Sequence, residues 1–394
     1  MAYTKVKPLM VASFPSSRLT GAFGAISGAS LTGLGDGIDT KSASNDPAIN
    51  TNPSAVGHTW LNKTSGAMFI CTDATAGENV WVNVGGGRGD VYIYQGTVTG
   101  FLPRAQNIYA TSFSSDGDGA LVGNLITHAT IASYATTQNK THGYSLGGVT
   151  HSPTVYYNNI EKFAFAATVT SVAQTGTIGT PMQTTLGHNS RTHGYVTGGV
   201  TVFNPLAVNS NRILKYSYAS DTDVIQVGTS FLYLRSAFGH STTEYGFVRG
   251  GINDTSAGGS PASNVSTGDK FAFFSDSNAV VNPGTLSVNR RSGMSTSSTT
   301  HAYAVGGHDG SYTNVIDKYA FVNSGSSTDV GDLTQNTING SAASSTTHGY
   351  SGGGATPSAT TRIEKHSFSV DGNATNIGDL AASGEQADGQ GWQY

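Results

Sequence analysis

A unit of about 50 residues recurs six times along this chain, and a repeat of that length points to a propeller or a solenoid. Three landmarks define it. The first is a small or polar residue, an aromatic, two residues and a glycine pair, as in His142–Gly148, His193–Gly199, Tyr245–Gly251, His301–Gly307 and His348–Gly354, with Val91–Gly96 as a degenerate first copy. The second glycines fall at positions 96, 148, 199, 251, 307 and 354, so the spacings are 52, 51, 52, 56 and 47. The second landmark is a strand with an acid or its stand-in, a lysine and flanking aromatics. It reads Ile160-Glu161-Lys162-Phe163-Ala164-Phe165, recurs at Ile213–Tyr218, Gly268–Phe273, Ile316–Phe321 and Ile363–Phe368, and has Ile108–Phe113 as its degenerate first copy. The third is an apolar residue before a glycine: Val122-Gly123, Ile178-Gly179, Val227-Gly228, Pro283-Gly284, Val330-Gly331 and Ile377-Gly378.

Alternation along Ile160–Phe165 puts Ile160 and Lys162 on one strand face and Glu161, Phe163 and Phe165 on the other, so one face is mostly apolar. One four-stranded blade cannot bury that face alone. Copies must stack, and closing them into a ring leaves no terminal blade uncovered. The glycine pairs read as positive-φ positions where backbones approach closely. Helical repeats of this length would need a 3.6-residue period, which is missing. With 52 Gly in 394 residues, 11% charged and 9% aromatic residues, the composition also suits many short strands and turns. The expectation is an all-β fold.

These units resemble the kelch family: a glycine pair after an aromatic strand, then a strand with an aromatic, then a turn and further strands. The resemblance covers residues 89–394 and implies a six-bladed kelch-like β-propeller. None of the six units carries the tryptophan usual in the third strand of kelch blades.

The net charge of -4 is thinly spread and forms no basic stripe, which argues against nucleic acid as a partner. No apolar stretch nears the roughly 18 residues that a membrane span requires, so no membrane insertion is expected. Lys5, Lys7 and Pro8 interrupt Met1–Phe14, which therefore does not read as a secretory signal. The single cysteine, Cys71, rules out an internal disulfide.

Residues 1–56 break with the repeat. They are rich in Ser, Gly and Ala and show little hydrophobic periodicity, which predicts an extended leader. Residues 57–88 read as a small three-stranded β-meander: Gly57–Asn62, a Thr64-Ser65-Gly66 turn, Met68–Cys71, a loop, Val80–Val84, then the Gly85-Gly86-Gly87 exit. The runs Pro15–Gly21 and Ile26–Gly35 resemble the low-complexity leaders of bacteriophage tail-fibre and other virion appendage proteins, in the style of cyanophage or marine phage. The tryptophan strand, apolar strand and second tryptophan strand resemble a β-module common in phage tail proteins. Together these resemblances imply a virion location, attachment to other virion structural proteins through residues 1–56, and a homotrimer.

Candidate chemistry is sparse. His142, His193, His301 and His348 hold equivalent positions, Tyr245 replaces them in one unit, and a residue needed by every blade reads as packing or a turn hydrogen bond rather than a metal ligand. Glu161-Lys162, Asp269-Lys270, Asp317-Lys318 and Glu364-Lys365 are strand neighbours that point to opposite faces, so they form no acid–base dyad. Ser114–Gly119 is an acidic turn that could hold Ca²⁺ or be an ordinary tight turn, and it lacks the aromatic of a sialidase-like Asp-box. Arg88-Gly89-Asp90 sits at a domain junction, and Asn62-Lys63-Thr64 matters only in a eukaryotic secretory route. No cofactor and no catalytic set is called for.

From second glycine to lysine the separations are 14, 16, 19, 11 and 11 residues, so length varies here while the frame holds. These segments are expected to emerge on one face, carrying Tyr156, Tyr157, Asn158, Phe203, Asn204, His308, Asp309 and Tyr312. Aromatic plates beside amides and a carboxylate suit sugar rings, and the same residues also suit plain solvated loops. The function expected is adsorption of a phage tail fibre or appendage to a host-surface glycan or protein. The alternatives are an architectural capsid or tail decoration, and a glycan-degrading propeller enzyme.

Overall fold

In the computed structural model the chain divides into two compact units, Met1–Gly87 and Arg88–Tyr394. The residues described are 40–64, 67–85, 95–126, 131–151, 154–203, 206–220, 222–253, 263–282, 284–356, 358–382 and 390–394. The leader through residue 39, Gly86-Gly87, Arg88-Gly89-Asp90, residues 91–94 of the degenerate glycine copy and Asn204 lie outside them. Among the described residues every regular element is a strand.

The second unit is a six-bladed β-propeller of four-stranded antiparallel blades. From the axis outward, blade 2 runs Ala135–Gln138, His142–Leu146, Asn159–Ala164 and Val169–Thr177. Blade 3 runs Leu186–Asn189, His193–Thr197, Arg212–Ser217 and Ile225–Thr229, and blade 4 Phe238–Ser241, Tyr245–Arg249, Gly268–Ala272 and Val280–Asn282. Blade 5 runs Met294–Ser297, His301–His308, Tyr312–Ala320 and Thr328–Asp332, and blade 6 Ser341–Ser344, His348–Gly352, Arg362–Ser367 and Thr375–Asp379. Inner strands touch their neighbours all the way round.

Blade 1 corrects the repeat assignment. Its second to outer strands are Thr99–Arg104, Asn107–Ser112 and Ala120–Asn124, but its inner strand is Trp392–Gln393 from the far end of the chain. The glycine taken as the first copy, Gly96, instead donates its N–H to Ser344 O at 2.9 Å in blade 6. The position of the glycine pair is held in blade 1 by Arg104-Ala105, in a tight turn with Ala105 at φ 47°. Borrowing the inner strand shifts the reading frame of the first unit, so a spacing count starting at Gly96 misplaces it.

The five true glycine pairs all have φ between +62° and +116°, and the N–H of Gly148, Gly199, Gly251 and Gly307 each donates to the segment entering the next blade. The third landmark is explained by the seams. A Cβ added at Gly123, Gly176, Gly228, Gly284, Gly331 or Gly378 would stand 2.1–2.4 Å from a backbone carbonyl oxygen of the following blade. Only glycine admits that approach. In blade 2 the residue concerned is Gly176, not Gly179, whose Cβ would meet open space.

A second correction concerns the acid–lysine strand. Glu161, Asp269 and Asp317 are 0% exposed and Glu364 is 3% exposed, while their lysine neighbours are half-buried. A blade is covered on both faces, so strand alternation does not divide inside from outside. Each carboxylate instead captures the chain as it enters that blade. Ile126 N–H donates to Glu161 at 2.9 Å, Leu232 to Asp269 at 3.0 Å, Ser287 to Asp317 at 2.9 Å and Thr334 to Glu364 at 2.8 Å. The lysines reach across the seam: Lys215 to Asp276 at 2.8 Å, Lys318 to Asp371 at 2.7 Å, and Lys365 to Asp116 across the blade 6 to blade 1 closure.

The first unit holds one four-stranded sheet rather than three strands alone. Thr59–Asn62, Met68–Asp73 and Val80–Gly85 form the meander, and Thr40–Ala43, from the stretch read as leader, pairs parallel with Thr59–Asn62. That stretch supplies partners the meander lacks: Trp60 Nε1 donates to Asn45 O at 2.9 Å, and Asn62 Nδ2 to Asp46 at 2.6 Å. Trp60 and Trp81 meet edge to face at 5.9 Å beside buried Phe69 and Cys71.

Candidate functional site

Beyond each glycine pair the chain does not turn back at once. It makes a short hairpin that pairs with the segment leading into the same blade's inner strand. Because the pairs end equivalent strands, these hairpins ring the axis on one face of the propeller. Residues directly opposite in an antiparallel pair share a sheet face, so each hairpin presents one three-residue row. The rows are Ala132–Val149–Tyr156, Gln183–Val200–Asn209, Arg235–Ile252–Asn264, Arg291–His308–Tyr312 and Ile338–Ala355–Ala359.

The central residue of a row has a packing task. Val149, Val200 and Ala355 are 1% exposed and Ile252 is 7% exposed. Blade 5 alone puts an imidazole there, and His308 is half-buried. A side chain that departs from what the other repeats need for packing is a better functional candidate than one they share.

Around His308 the geometry is well held. Its backbone exchanges hydrogen bonds with Arg291 at 3.1 and 2.8 Å, and its ring meets Tyr312 edge to face at 5.7 Å. Asn264, from the blade 4 row, donates through Nδ2 to His308 O at 3.0 Å, and its Oδ1 accepts from Arg291 Nη1 at 3.2 Å. No carboxylate among the described residues pairs with Arg291. His308 Nδ1 is buried without a partner, so Nε2 is the nitrogen the ring turns outward. Asp309 spends its carboxylate on the turn, accepting from Ser311 N at 3.0 Å, a bond that with His308 nearby holds it below the usual carboxylate range.

Beneath the row, fully buried Arg290 pairs with fully buried Asp317 at 3.2 Å and donates to Ala304 O at 2.7 Å. Burial lowers the Arg290 pKa and Asp317 offsets it. This pair stiffens the platform without reaching solvent.

Of the eight residues expected on the loops, His308, Asp309 and Tyr312 come together in one hairpin. Tyr156, Tyr157 and Asn158 lie in blade 2, three blades away in a ring of six and therefore across the axis. Tyr157 packs on the Phe101, Phe163 and Trp392 core, and Asn158 Nδ2 donates to Gly179 O at 3.0 Å, so both have structural work. Phe203 ends the strand Val200–Phe203, and Asn204 is outside the described residues. Arg291 was missed because it lies outside the glycine-to-lysine intervals; Asn264 lies inside the longest one, Gly251–Lys270, and no aromatic beside it drew attention to it. The signal for His308 was nonetheless present: the residue after the glycine pair reads Val, Val, Ile, His, Ala.

Other candidates resolve into structure. His142, His193, His301 and His348 each sit at a hairpin turn, Nδ1 at 2.8 Å from the hydroxyl of the preceding threonine. In the acidic turn, Asp116 pairs with Lys365 and Asp118 accepts from Asp379 N at 2.9 Å, so both carboxylates serve the closing seam. No cluster of three or more His, Cys, Asp or Glu converges among the described residues. On the axis a cavity of about 70 Å³ is lined by hydroxyls and amides including Thr136, Asn189, Ser241 and Ser344, and Gln390 spans it from Gly187 N to Gly239 O, both at 3.0 Å.

No protein-family model matches this chain, and no curated protein matches it. Among solved structures, that of YjhT is similar, with a TM-score of 0.57 and 15% sequence identity over 72% of this chain and 97% of that one. At that identity the likeness concerns the fold alone, and it agrees with the propeller. No helix among the described residues is long and apolar enough to cross a membrane.

Proposed function

We propose that this chain is a virion structural protein of the tail-fibre or appendage kind, whose front segment attaches to the particle and whose propeller engages a host-surface glycan or protein. One observation carries the binding part of this reading. The seams repeat with the same bonds from blade to blade, whereas the hairpins beyond the glycine pairs differ in length and in the chemistry of their rows. A frame held constant beneath a varied face is how binding surfaces are built on rigid scaffolds. The virion part rests on the resemblance of residues 15–35 and 57–87 to phage leaders and tail modules.

The test is binding of the labelled full-length chain to bacterial cells that the phage infects, together with competition against intact particles. Saturable binding that blocks adsorption is the expected result. Absence of binding to permissive cells would overturn it.

A purely architectural role is favoured by a different observation. Opposite the lysines of the acid–lysine strands, the outer strands of blades 2, 3 and 4 expose Val172 at 58%, Ile225 at 59% and Val280 at 64%, where blades 5 and 6 carry Thr328 and Thr375. An apolar arc on one side of the rim suits contact with a neighbouring subunit. Protection of that arc from hydrogen exchange in the assembled particle, without any cell binding, is the outcome that would select this role.

A further inference from the structure

Resting on the binding reading above, we propose that Arg291, His308 and Tyr312 form a subsite for an oxyanion carried on a sugar, either a uronate carboxylate or a sulfate ester. The row places a guanidinium, an imidazole and a phenol side by side on one sheet face across three strands. Donors predominate in it. Arg291 spends one N–H on an amide oxygen and pairs with no described carboxylate, and His308 presents Nε2, its other nitrogen being the buried one. Tyr312 adds a hydroxyl and an aromatic ring, whose face is the kind of surface on which the C–H groups of a sugar pack.

The argument from the repeat is independent of these contacts. Four rows spend their central position on a buried aliphatic side chain, and only this one gives up that packing. Asn264 holds the guanidinium in place through Oδ1 while its own Nδ2 is fixed on His308 O, so the arginine is set in position before any ligand arrives. A bidentate guanidinium with an adjacent N–H matches the planar carboxylate or the sulfate oxygens better than a single neutral hydroxyl. Asp309 could have neutralised Arg291, but its carboxylate is turned into its own loop by Ser311.

The experiment is calorimetric titration of the full-length chain with three oligosaccharides of similar length: a polygalacturonate, a sulfated galactan and a neutral galactan. One or both anionic probes should bind, with affinity falling as salt rises, and the neutral probe should bind at least tenfold more weakly. Arg291→Gln should weaken the anionic probe about tenfold or more, and Arg291→Lys should recover part of that loss. His308→Val restores the side chain that blades 2 and 3 carry, so its thermal midpoint should equal or exceed that of the native chain while anionic binding falls. Equal binding of neutral and anionic probes, binding of neither anionic probe, or anionic binding untouched by Arg291→Gln would overturn the proposal. Host-cell binding that persists in Arg291→Gln and His308→Val would sink this subsite and leave the adhesin reading standing; loss of all cell binding by the native chain would sink the adhesin reading instead.

Discussion

The N–H of Gln393 donates to Gln138 Oε1 at 2.8 Å, joining residues 255 positions apart across the seam between blades 1 and 2. The bond is one member of a set of five around the axis. At the matching position of every inner strand except that of blade 5, where Ser297 stands, a side chain accepts from the backbone of the blade before it. Gln138 N–H donates to Asn189 at 2.6 Å, Asn189 to Ser241 at 3.0 Å, Ser297 to Ser344 at 2.9 Å and Ser344 to Gln393 at 3.2 Å. The C-terminal strand thus supplies a member that no other part of the chain replaces.

Closure should therefore depend on that strand. Trp392 is 0% exposed, donates through Nε1 to Thr137 O and Tyr144 O at 3.0 Å, and meets Phe163 edge to face at 4.8 Å. Trp392→Ala should cost about 3–5 kcal/mol, the usual range for emptying a buried aromatic site. Tyr394→Phe, at a ring 43% exposed whose backbone carbonyl does the bonding, should cost under about 1 kcal/mol. Urea unfolding of both variants checks the contrast, and equal losses would refute this account of closure.

The blade count and the glycine conformations were legible in the sequence because they repeat: five pairs at a fixed place in the unit all take positive φ. The starting strand was not legible. Nothing in Trp392-Gln393 resembles an inner strand such as Leu186–Asn189 until pairing shows that the two occupy the same place. The covering of the second strand face was missed for a physical reason, since two-state alternation presumes one wet face, whereas Ile160, on the face opposite Glu161 and Phe163, is 2% exposed. At the site, His308 was selected as one aromatic plate among several, whereas its significance lies in departing from Val149, Val200, Ile252 and Ala355, a comparison the repeat itself offers.

Asp269 should weaken the fold as pH rises. It is buried without a cation, and burial pushes its pKa up to about 6 although Leu232 and Phe231 donate to it. A folded pKa above the unfolded value means that the contribution is complete below about 4 and is lost as pH climbs through about 6. The loss is about 3 kcal/mol at most. Asp269→Asn should leave stability nearly unchanged at pH 4 and raise it relative to the native chain at pH 8, as read by denaturant unfolding at both pH values. Asp317→Asn is the control in the other direction: it strands Arg290 and should destabilise by about 3–5 kcal/mol at pH 8.

Three buried histidines impose the opposite slope. His188 bonds to His240 O and Thr197, His240 to Tyr303 O and Tyr319, and His366 to Thr296, so they stitch blades 3 to 4, 4 to 5 and 5 to 6. Burial pushes their pKa values down to about 4, 3 and 3. A folded pKa below the unfolded value of about 6.5 gives stability that is present above 6.5 and lost as pH falls toward 4 and 3. Each histidine can account for on the order of 3 kcal/mol. The thermal midpoint should drop steeply between pH 6 and 4, and His366→Gln should flatten that slope; an unchanged slope would remove this explanation.

The seams make the sharpest steric prediction. A Cβ at Gly176 would stand 2.1 Å from Thr222 O and 2.4 Å from its carbonyl carbon, both backbone atoms that cannot swing aside. Blade 3 would have to back away from blade 2, opening a gap in a close-packed interface and lengthening the Val224 N–H to Thr177 O bond, now 2.8 Å. Gly176→Ala should therefore cost about 2–4 kcal/mol, in the range of an overpacked core. Gly372→Ala provides the comparison, because its Cβ meets nothing within 4 Å and its φ is not positive. There the added side chain only restricts the unfolded chain, so the variant should be neutral or stabilised by a few tenths of a kcal/mol. Paired unfolding curves decide the matter: if both substitutions behave alike, the glycines of the third landmark are not there to admit the neighbouring blade.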